Sequence, residues 1–538
     1  MTETVDYYAL ARKHFPYPAY NAGQEHAIVE IVKALKLGIP HVIAEVPTGV
    51  GKSAIAYTVH KMMEDMNDWH RTTIVTASKG LQDQYTSEYE DMFDLKGKAN
   101  YKCVKGAESY GTSKCKSIVY GGKCNAASEC PYVIRRDHWC NKAALRLTNT
   151  SFQIEAGDVL INTIKTRAKL IVIDECHELA NQLIHHNVLK LSLAALPISV
   201  KMYGDAFVKK VTACVSALSS IGTDRAFRLA DIDSDPFERL NASVESVMLS
   251  LKSRMENGEF SPQLTAVMEE MQGISNSLST FTATVNGEWI LVDYEKNRML
   301  EVKPVYAKQV ANRGMFRKSD QFVHLSATIC GFDEYRNNLG LRKEDCFNIL
   351  IDNPIPVENR RIMLTCDINV NKDVDPKELA ASIDAIIAKH DNKNGVIHTV
   401  SFKLANDIVD NSRFRKRMIV SNDRKEILKL LNNHNSGAIV LSPSIETGYD
   451  FKGDMARWQI LAKVPYGYMG DPFVKLNMSR DSSWYARQAI LRMVQASGRI
   501  VRGMTDYGDT YIVDSNAARL LSTYASMFPD WYIDALEL

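Results

Sequence analysis

Residues 42–53, VIAEVPTGVGKS, constrain the fold of this chain more than any other stretch. An apolar run at residues 42–44 is followed by a glycine-containing loop, and the loop runs into the helical pattern AIAYTVHKMM. This order predicts a phosphate-binding loop, because glycines let backbone N–H groups converge on phosphate oxygens and a helix N-terminus favours negative charge. Lys52 is expected to reach the β- and γ-phosphates of a nucleotide, and the Ser53 hydroxyl to hold Mg²⁺. The predicted phosphate-binding residues are Thr48, Gly49, Gly51, Lys52 and Ser53. The alternative is a glycine turn that precedes a lysine by chance.

A second apolar strand, in IVIDECHEL, ends in two acids and a histidine. At the carboxyl end of such a strand, Asp174 can hold the Mg²⁺ that bridges nucleotide phosphates, and Glu175 can orient or deprotonate the attacking water. His177 is expected to lie within reach of other polar groups and to relay the state of the nucleotide. The alternative is an acidic turn at a strand end, which a phosphate loop in the same sheet makes less attractive.

Length and composition bound the class of protein. At 538 residues the chain is too long to fold around a single hydrophobic core. Its 65 basic and 64 acidic residues give a net charge of +1, which argues neither for nor strongly against nucleic-acid binding, because a groove can be locally positive. No apolar run is long enough to cross a bilayer and the first residues lack a signal sequence, so we expect a cytoplasmic or nucleoid-associated protein without membrane partners.

Strand and helix patterns alternate in two stretches, which predicts two α/β domains with parallel sheets. Residues 180–285 carry amphipathic helical patterns and are interpreted as a helical insertion. Periodicity is lost from about residue 96 to 150, and ordered structure is expected to resume at GDVLINT (157–163). The expected segments are 1–95, 156–180 and 301–331 for the first α/β domain, 96–155 for a cysteine-rich region, 181–300 for the helical insertion and 332–538 for the second α/β domain.

Five of the ten cysteines crowd into one interval, at Cys103, Cys115, Cys124, Cys130 and Cys140. In a reducing compartment such a cluster favours metal binding over disulfides. The cluster has no CxxC pair, so zinc is disfavoured and stays an alternative. Four thiolates are what a [4Fe-4S] cluster needs.

Six segments occur in a fixed order: EVPTGVGKS, TASKGLQDQY, IDECHE, HLSATI, ETGYDFKGD and QASGRIVRG. This set resembles the motor motifs of superfamily 2 helicases, and most closely those of the XPD/DinG-like iron-sulfur DNA helicases. The resemblance spans Gln24 to Asp514. It implies an α/β fold of two RecA-like parallel-sheet motor domains, with an inserted iron-sulfur domain and an inserted helical arch domain.

The resemblance also implies roles for individual residues. Gln24 would contact the adenine, and Ser326 with Thr328 would couple the nucleotide to the nucleic-acid groove. The residues implied at the interface between the motor domains are Glu446, Gly448 and Asp450, and those implied to face the γ-phosphate are Gln495, Arg499 and Arg502. The implied cluster ligands are Cys103, Cys115, Cys124 and Cys130, with Cys140 as a spare.

Arginines opposite the phosphate loop have a physical rationale of their own. A planar and permanently charged guanidinium can stabilise charge spread over phosphoryl oxygens, and its supply from a second domain ties hydrolysis to domain closure. Arg499 and Arg502 are three residues apart, so one helix is predicted to present both on the same side. The alternative is a helix end with solvated arginines.

The resemblance implies an ATP-driven helicase that moves 5′ to 3′ on single-stranded DNA and unwinds forked or overhang duplexes, with ATP, Mg²⁺ and a [4Fe-4S] cluster. VPYGYMGDP (464–472) resembles a segment near the bound strand, where its tyrosines would either stack on bases or pack within the protein. One rival is a nucleic-acid-stimulated ATPase that remodels nucleoprotein complexes, or serves as a scaffold, without separating strands. Another is a zinc protein that acts on RNA.

Overall fold

The fold is given by a computed structural model. It describes residues 5–67, 70–104, 127–161, 167–192, 205–221, 225–257, 259, 262–294, 299–434, 436–444, 451 and 453–537.

The first motor domain is built on a seven-stranded sheet in which every strand pair is parallel. Neighbouring residues of one strand face different cores: Val42 packs with the helix that follows the phosphate loop, and Ile43 packs on the opposite face. Both faces are therefore covered, which explains why the strands are continuously apolar. In order across the sheet the strands are Cys346–Leu350, His41–Glu45, Gln321–Ser326, Leu170–Asp174, Thr72–Thr76, Leu145–Asn149 and Phe93–Asp94. The α-helices of this domain and of the cysteine-rich region are Tyr7–His14, Gln24–Lys36, Lys52–Met66, Lys79–Glu88, Pro131–Asn141, Thr150–Ile161, Leu179–His186, Lys308–Gly314 and Phe332–Leu339.

Parallel strands place their carboxyl ends at one edge of the sheet, which is where ligands bind in such folds. The phosphate loop follows Glu45, and Asp174 and Ser326 are the last residues of their strands. The topology thus brings the predicted phosphate loop, acidic strand end and Ser-Ala-Thr segment to the same edge, as the sequence predicts.

The second motor domain has its own seven-stranded sheet, again with parallel pairs throughout. Its strands, in order, are Met418–Val420, Ile439–Ser442, Gly395–His398, Trp458–Leu461, Asp509–Asp514, Ile362–Ile368 and Leu536–Glu537. Its α-helices are Pro376–Ile387, Phe402–Asn411, Arg424–Leu431, Pro472–Arg480, Ser482–Ser497, Asn516–Tyr524 and Asp530–Asp534. The prediction of two parallel-sheet domains is confirmed.

The insertion into the first domain is not purely helical. Its described part contains the helices Asp205–Ser219, Asp235–Glu256 and Pro262–Ala283. It also contains a four-stranded antiparallel sheet, ordered Leu189–Ser192, Met299–Pro304, Glu288–Tyr294 and Ala226–Arg228. The helices and the sheet share one core, in which the Phe281 ring centroid lies 4.9 Å from that of Trp289. The expected boundary after residue 300 therefore falls inside a strand, because strand pairing and not helical periodicity closes this unit.

Two other predicted boundaries are wrong. The strand Cys346–Leu350 pairs with the phosphate-loop strand His41–Glu45, so the first motor domain continues past residue 331. The strand Leu145–Asn149 pairs with Thr72–Thr76, so part of segment 96–155 belongs to the first motor sheet. Residues 157–161, expected to mark the return of order, lie inside the helix Thr150–Ile161. Among the described helices, none is both long and apolar enough to span a bilayer.

Candidate active site

The predicted phosphate loop depends on two glycines with left-handed backbone angles, φ 88° at Gly49 and 91° at Gly51. Asn21 supports the loop, because its side-chain nitrogen donates to the carbonyl oxygens of Gly49 and Val50, each at 3.1 Å. Gln24 donates to the Gly51 carbonyl at 3.1 Å and accepts from the backbone N–H of Asn21 at 3.0 Å. Gln24, implied to contact adenine, thus lines the cleft while its amide holds the loop.

The two predicted acids lie beside the predicted lysine. Lys52 Nζ is 3.7 Å from Glu175 Oε1, and Asp174 Oδ1 accepts from the backbone N–H of Glu175 at 3.0 Å. Glu175 has a φ of 55°, an uncommon conformation for a residue with a side chain. Such backbone strain costs about 1–3 kcal/mol and concentrates at functional sites.

The charges of both domains act on this acidic pair. Burial raises the pKa of Asp174 to about 6, with a further contribution from neighbouring Glu175. Burial is the largest single influence on the pKa of Glu175 and opposes its ionisation, but the neighbouring groups together outweigh it, and Lys52 acts most strongly among them. Arg499 and Arg502 act in the same direction as Lys52, and the pKa of Glu175 falls to about 2. Glu175 is therefore ionised at neutral pH, under the influence of cations from two domains.

Arg499 and Arg502 approach the phosphate loop from the second domain. The prediction that one helix presents both is wrong, because the helix Ser482–Ser497 ends before them and both lie in the following segment. The Arg502 carbonyl lies so close to Gly49 that a Cβ on this glycine would be 3.2 Å from the carbonyl oxygen. The two domains thus meet at the phosphate loop.

One cleft of about 830 Å³ is lined by most of the predicted phosphate-binding and catalytic residues of the two domains. From the first domain it is lined by Gln24, Thr48, Gly49, Gly51, Lys52, Ser53, Asp174, Glu175 and His177, and from the second by Arg424, Arg499 and Arg502.

The acidic strand end also contacts the Ser-Ala-Thr segment. His177 Nδ1 lies 2.8 Å from Ser326 Oγ and 3.4 Å from Glu175 Oε2. The backbone N–H of Thr328 donates to Ser326 Oγ at 3.2 Å. A continuous polar path therefore runs from Glu175 to Thr328.

Comparisons with known proteins agree with this geometry. Residues 386–534 match the family model of the helicase C-terminal domain, and residues 18–202 match that of the res subunit of type III restriction enzymes. A solved structure named XPD helicase superimposes with a TM-score of 0.62 at 13% identity, covering 96% of this chain and 98% of that chain. The structure of S. tokodaii Xpd4 gives a TM-score of 0.59 at 14% identity, covering 96% and 100%. A search of curated proteins gives no match.

The chain is a helicase with an XPD-like fold. At these identities the solved structures establish the fold, and the family models cover the regions that carry the phosphate loop and the two arginines.

Not every residue implied for this helicase reaches the cleft. The side chain of Gln495 does not line it, and Gln495 Nε2 is buried without a hydrogen-bond partner in the described parts of the chain. Glu446, Gly448 and Asp450, implied at the domain interface, lie outside the described residues.

Sequence reasoning missed several residues at the helicase site. Asn21 supports the phosphate loop, Tyr85 donates to Asp174 Oδ2 at 3.0 Å, and Glu88 accepts from Ser53 Oγ at 3.1 Å. Arg424 of the second domain reaches Gly80, where a Cβ would lie 1.9 Å from its Nη1. Glycine lowers helix propensity, so Gly80 near the start of a helix was the sequence signal that could have indicated this close approach.

The predicted cluster cysteines of the helicase are described only in part. Cys103 packs against a small apolar group that contains Cys130, Cys140 and Trp139. Cys115 and Cys124 lie outside the described residues, and the described residues contain no group of three or more side chains suited to hold a metal. Burial raises the pKa of the Cys140 thiol.

The two tyrosines of residues 464–472 differ in their surroundings. Tyr466 stacks on Tyr485 with ring centroids 5.0 Å apart, and the Tyr485 hydroxyl donates to the Gly467 carbonyl. Tyr468 is 81% exposed. Tyr466 is therefore a packing residue, and Tyr468 is available for stacking.

Proposed function

We propose that this helicase hydrolyses ATP to move along single-stranded DNA and unwind duplexes. The observation that carries the proposal is the single cleft in which Lys52, Asp174 and Glu175 of one motor domain face Arg499 and Arg502 of the other. A nucleotide held there touches both domains, so its hydrolysis changes their contact.

Each side chain has a part that its chemistry suits. Lys52 neutralises phosphate charge, and the oxygens of Ser53 and Asp174 are the hard ligands that Mg²⁺ prefers. When bound there, Mg²⁺ would supply charge neutralisation at the nucleotide phosphates. Glu175, ionised at neutral pH, accepts a hydrogen bond from the attacking water and orients it. Arg499 and Arg502 stabilise the charge that develops on the transferred phosphoryl group.

In this proposal the state of the bound nucleotide is communicated to the nucleic acid along the polar path from Glu175 through His177 to Ser326 and Thr328. The Ser-Ala-Thr segment couples hydrolysis to grip on the strand in this proposal. Tyr468 offers an exposed ring on which a base can stack, an interaction worth about 1–3 kcal/mol per base.

DNA as substrate, 5′ to 3′ movement and the iron-sulfur cluster are proposed from the sequence resemblance. Cys103 and Cys130, the first and last proposed ligands, belong to one small packed group, so these two cysteines lie close together. Four thiolates from this segment would hold a [4Fe-4S] cluster.

A fork-unwinding assay tests the proposal. Purified protein is mixed with duplexes that carry a 5′ tail, a 3′ tail or both, with DNA-stimulated ATP turnover measured in parallel. The proposal expects unwinding of the 5′-tailed and forked substrates, and loss of both activities in Lys52→Ala. If DNA stimulates ATP turnover without strand separation, the result would favour the remodelling ATPase over the helicase. Better stimulation by RNA than by DNA would favour the RNA alternative.

A further inference from the structure

The helix Lys79–Glu88 contacts both residues that are proposed to hold Mg²⁺. The Tyr85 hydroxyl donates to Asp174 Oδ2 at 3.0 Å. Ser53 Oγ donates to Glu88 Oε2 at 3.1 Å. Tyr85 and Glu88 are three residues apart, so they lie on the same side of this helix.

The contact to Asp174 is buried on both sides. Tyr85 is 2% exposed and Asp174 is 4% exposed, so water does not compete for this hydrogen bond. The other carboxylate oxygen of Asp174 accepts from the backbone N–H of Glu175. With one donor on each oxygen, the carboxylate plane is fixed and each oxygen keeps a lone pair.

The contact to Ser53 has a different role. A serine oxygen that binds a cation uses a lone pair, and its O–H must then point to an acceptor. Glu88 Oε2 is an acceptor at hydrogen-bond distance, on the rim of the same cleft. Gln84 donates to the second oxygen of Glu88 at 3.0 Å, which orients this carboxylate as well.

The helix that carries these side chains is itself fixed. Its first turn is capped by Ser78, which accepts from the backbone N–H of Leu81 at 3.3 Å. Gln82 is buried and donates to the Leu95 carbonyl at 3.1 Å. Tyr85 and Glu88 therefore project from a rigid element.

We propose that Tyr85 and Glu88 are positioning residues for Mg²⁺ in this helicase, acting through Asp174 and Ser53. Residues that hydrogen-bond to metal ligands fix their orientation, and their loss costs about 10–100-fold in metal affinity or activity. The inference rests on the proposed nucleotide site. Because the same helix begins beside the Gly80 contact with Arg424, it also joins the metal site to the second domain.

The test measures how much Mg²⁺ tightens nucleotide binding, without reference to turnover or DNA. The dissociation constant of a fluorescent ADP analogue is determined by titration in Mg²⁺ and again in EDTA. The constant in EDTA divided by the constant in Mg²⁺ is the gain in nucleotide affinity that the metal provides. Tyr85→Phe is expected to lower this gain by about tenfold with the EDTA value unchanged. Glu88→Ala, at an exposed residue, is expected to lower it by a smaller factor.

Two control variants match these changes. Tyr511→Phe removes a buried hydroxyl 2.9 Å from His390 Nε2 in the second domain, and Ser87→Ala removes an exposed hydroxyl from the same helix. Both are expected to keep the gain of the unmodified protein.

An unchanged gain in Tyr85→Phe and Glu88→Ala would overturn the inference and leave the nucleotide site standing. An equal loss in the controls would overturn it too. If Mg²⁺ gave no gain in the unmodified protein, the nucleotide site itself would be wrong. If Tyr85→Phe failed to fold, Glu88→Ala would decide alone.

Discussion

Arg487 of the second motor domain forms an ion pair with Glu334 of the first, with 2.9 Å between Nη1 and Oε1. Glu334 lies in the helix Phe332–Leu339, shortly after the Ser-Ala-Thr segment. Arg487 lies in the helix Ser482–Ser497, which leads to the cleft arginines. The pair thus joins the helix that follows the Ser-Ala-Thr segment to the helix that precedes the cleft arginines.

We expect Glu334→Ala to reduce unwinding more than ATP turnover, because the pair contributes to domain closure. A partly exposed pair is worth about 1 kcal/mol, which corresponds to roughly a fivefold loss in unwinding rate. The charge-swapped protein, with Glu334→Arg and Arg487→Glu together, should recover part of the loss. Glu344→Ala, which removes an exposed carboxylate from the same domain, serves as the control. The prediction is contradicted if the Glu334→Ala and Glu344→Ala variants unwind DNA at the same rate.

Arg499→Lys is expected to lower DNA-stimulated ATP turnover nearly as much as Arg499→Ala. A lysine keeps the charge but not the planar fork that contacts two phosphoryl oxygens at once. Loss of one such arginine costs about 10³-fold or more in related phosphoryl-transfer sites. Steady-state turnover at saturating DNA is the measurement. Wild-type turnover in the lysine variant would show that position 499 supplies only charge.

Glu45 predicts a pH-dependent stability. It is buried, accepts from the backbone N–H of Ile329 at 3.0 Å, and burial raises its pKa to about 7. A raised folded-state pKa means that stability is present below the unfolded value and is lost as pH rises through the folded value. The loss falls between about pH 4.5 and 7 and amounts to at most about 3 kcal/mol.

Glu45→Gln keeps an acceptor for Ile329 and carries no charge. Its melting temperature relative to the unmodified protein is expected to rise from pH 5 to pH 8. A difference that stays constant over this range would show that Glu45 titrates normally.

The cysteine assignment predicts a contrast between two substitutions. Cys103→Ser should lose iron and acid-labile sulfide, because it removes a proposed ligand. Cys140→Ser should keep both, because the sequence resemblance leaves Cys140 as the spare cysteine. The metal content of anaerobically purified proteins decides the matter. Iron lost from the Cys140 variant and kept in the Cys103 variant would reverse the assignment, and zinc in place of iron would support the alternative metal.

Short-range patterns predicted much of this site. The phosphate loop, the acidic strand end and the Ser-Ala-Thr segment each follow a strand, and parallel pairing alone carries them to one edge. The sequence alone therefore predicts that Lys52 and Asp174 lie close together.

Long-range pairing could not be predicted in the same way. The strand Cys346–Leu350 joins the first sheet through pairing with a strand some three hundred positions earlier, and its own residues carry no mark of that partner. Tyr85, Arg424 and Arg487 act through contacts between elements that are far apart in the chain or in different domains. Such residues look like ordinary helix residues until the packing is known.

The central claim is that one nucleotide is held between the two motor domains, and a structure with ADP and aluminium fluoride tests it most directly. The account predicts Lys52 on one side of the fluoride group and Arg499 or Arg502 on the other, each at about 2.7–3.2 Å. A nucleotide bound by one domain alone, or outside the cleft, would contradict it.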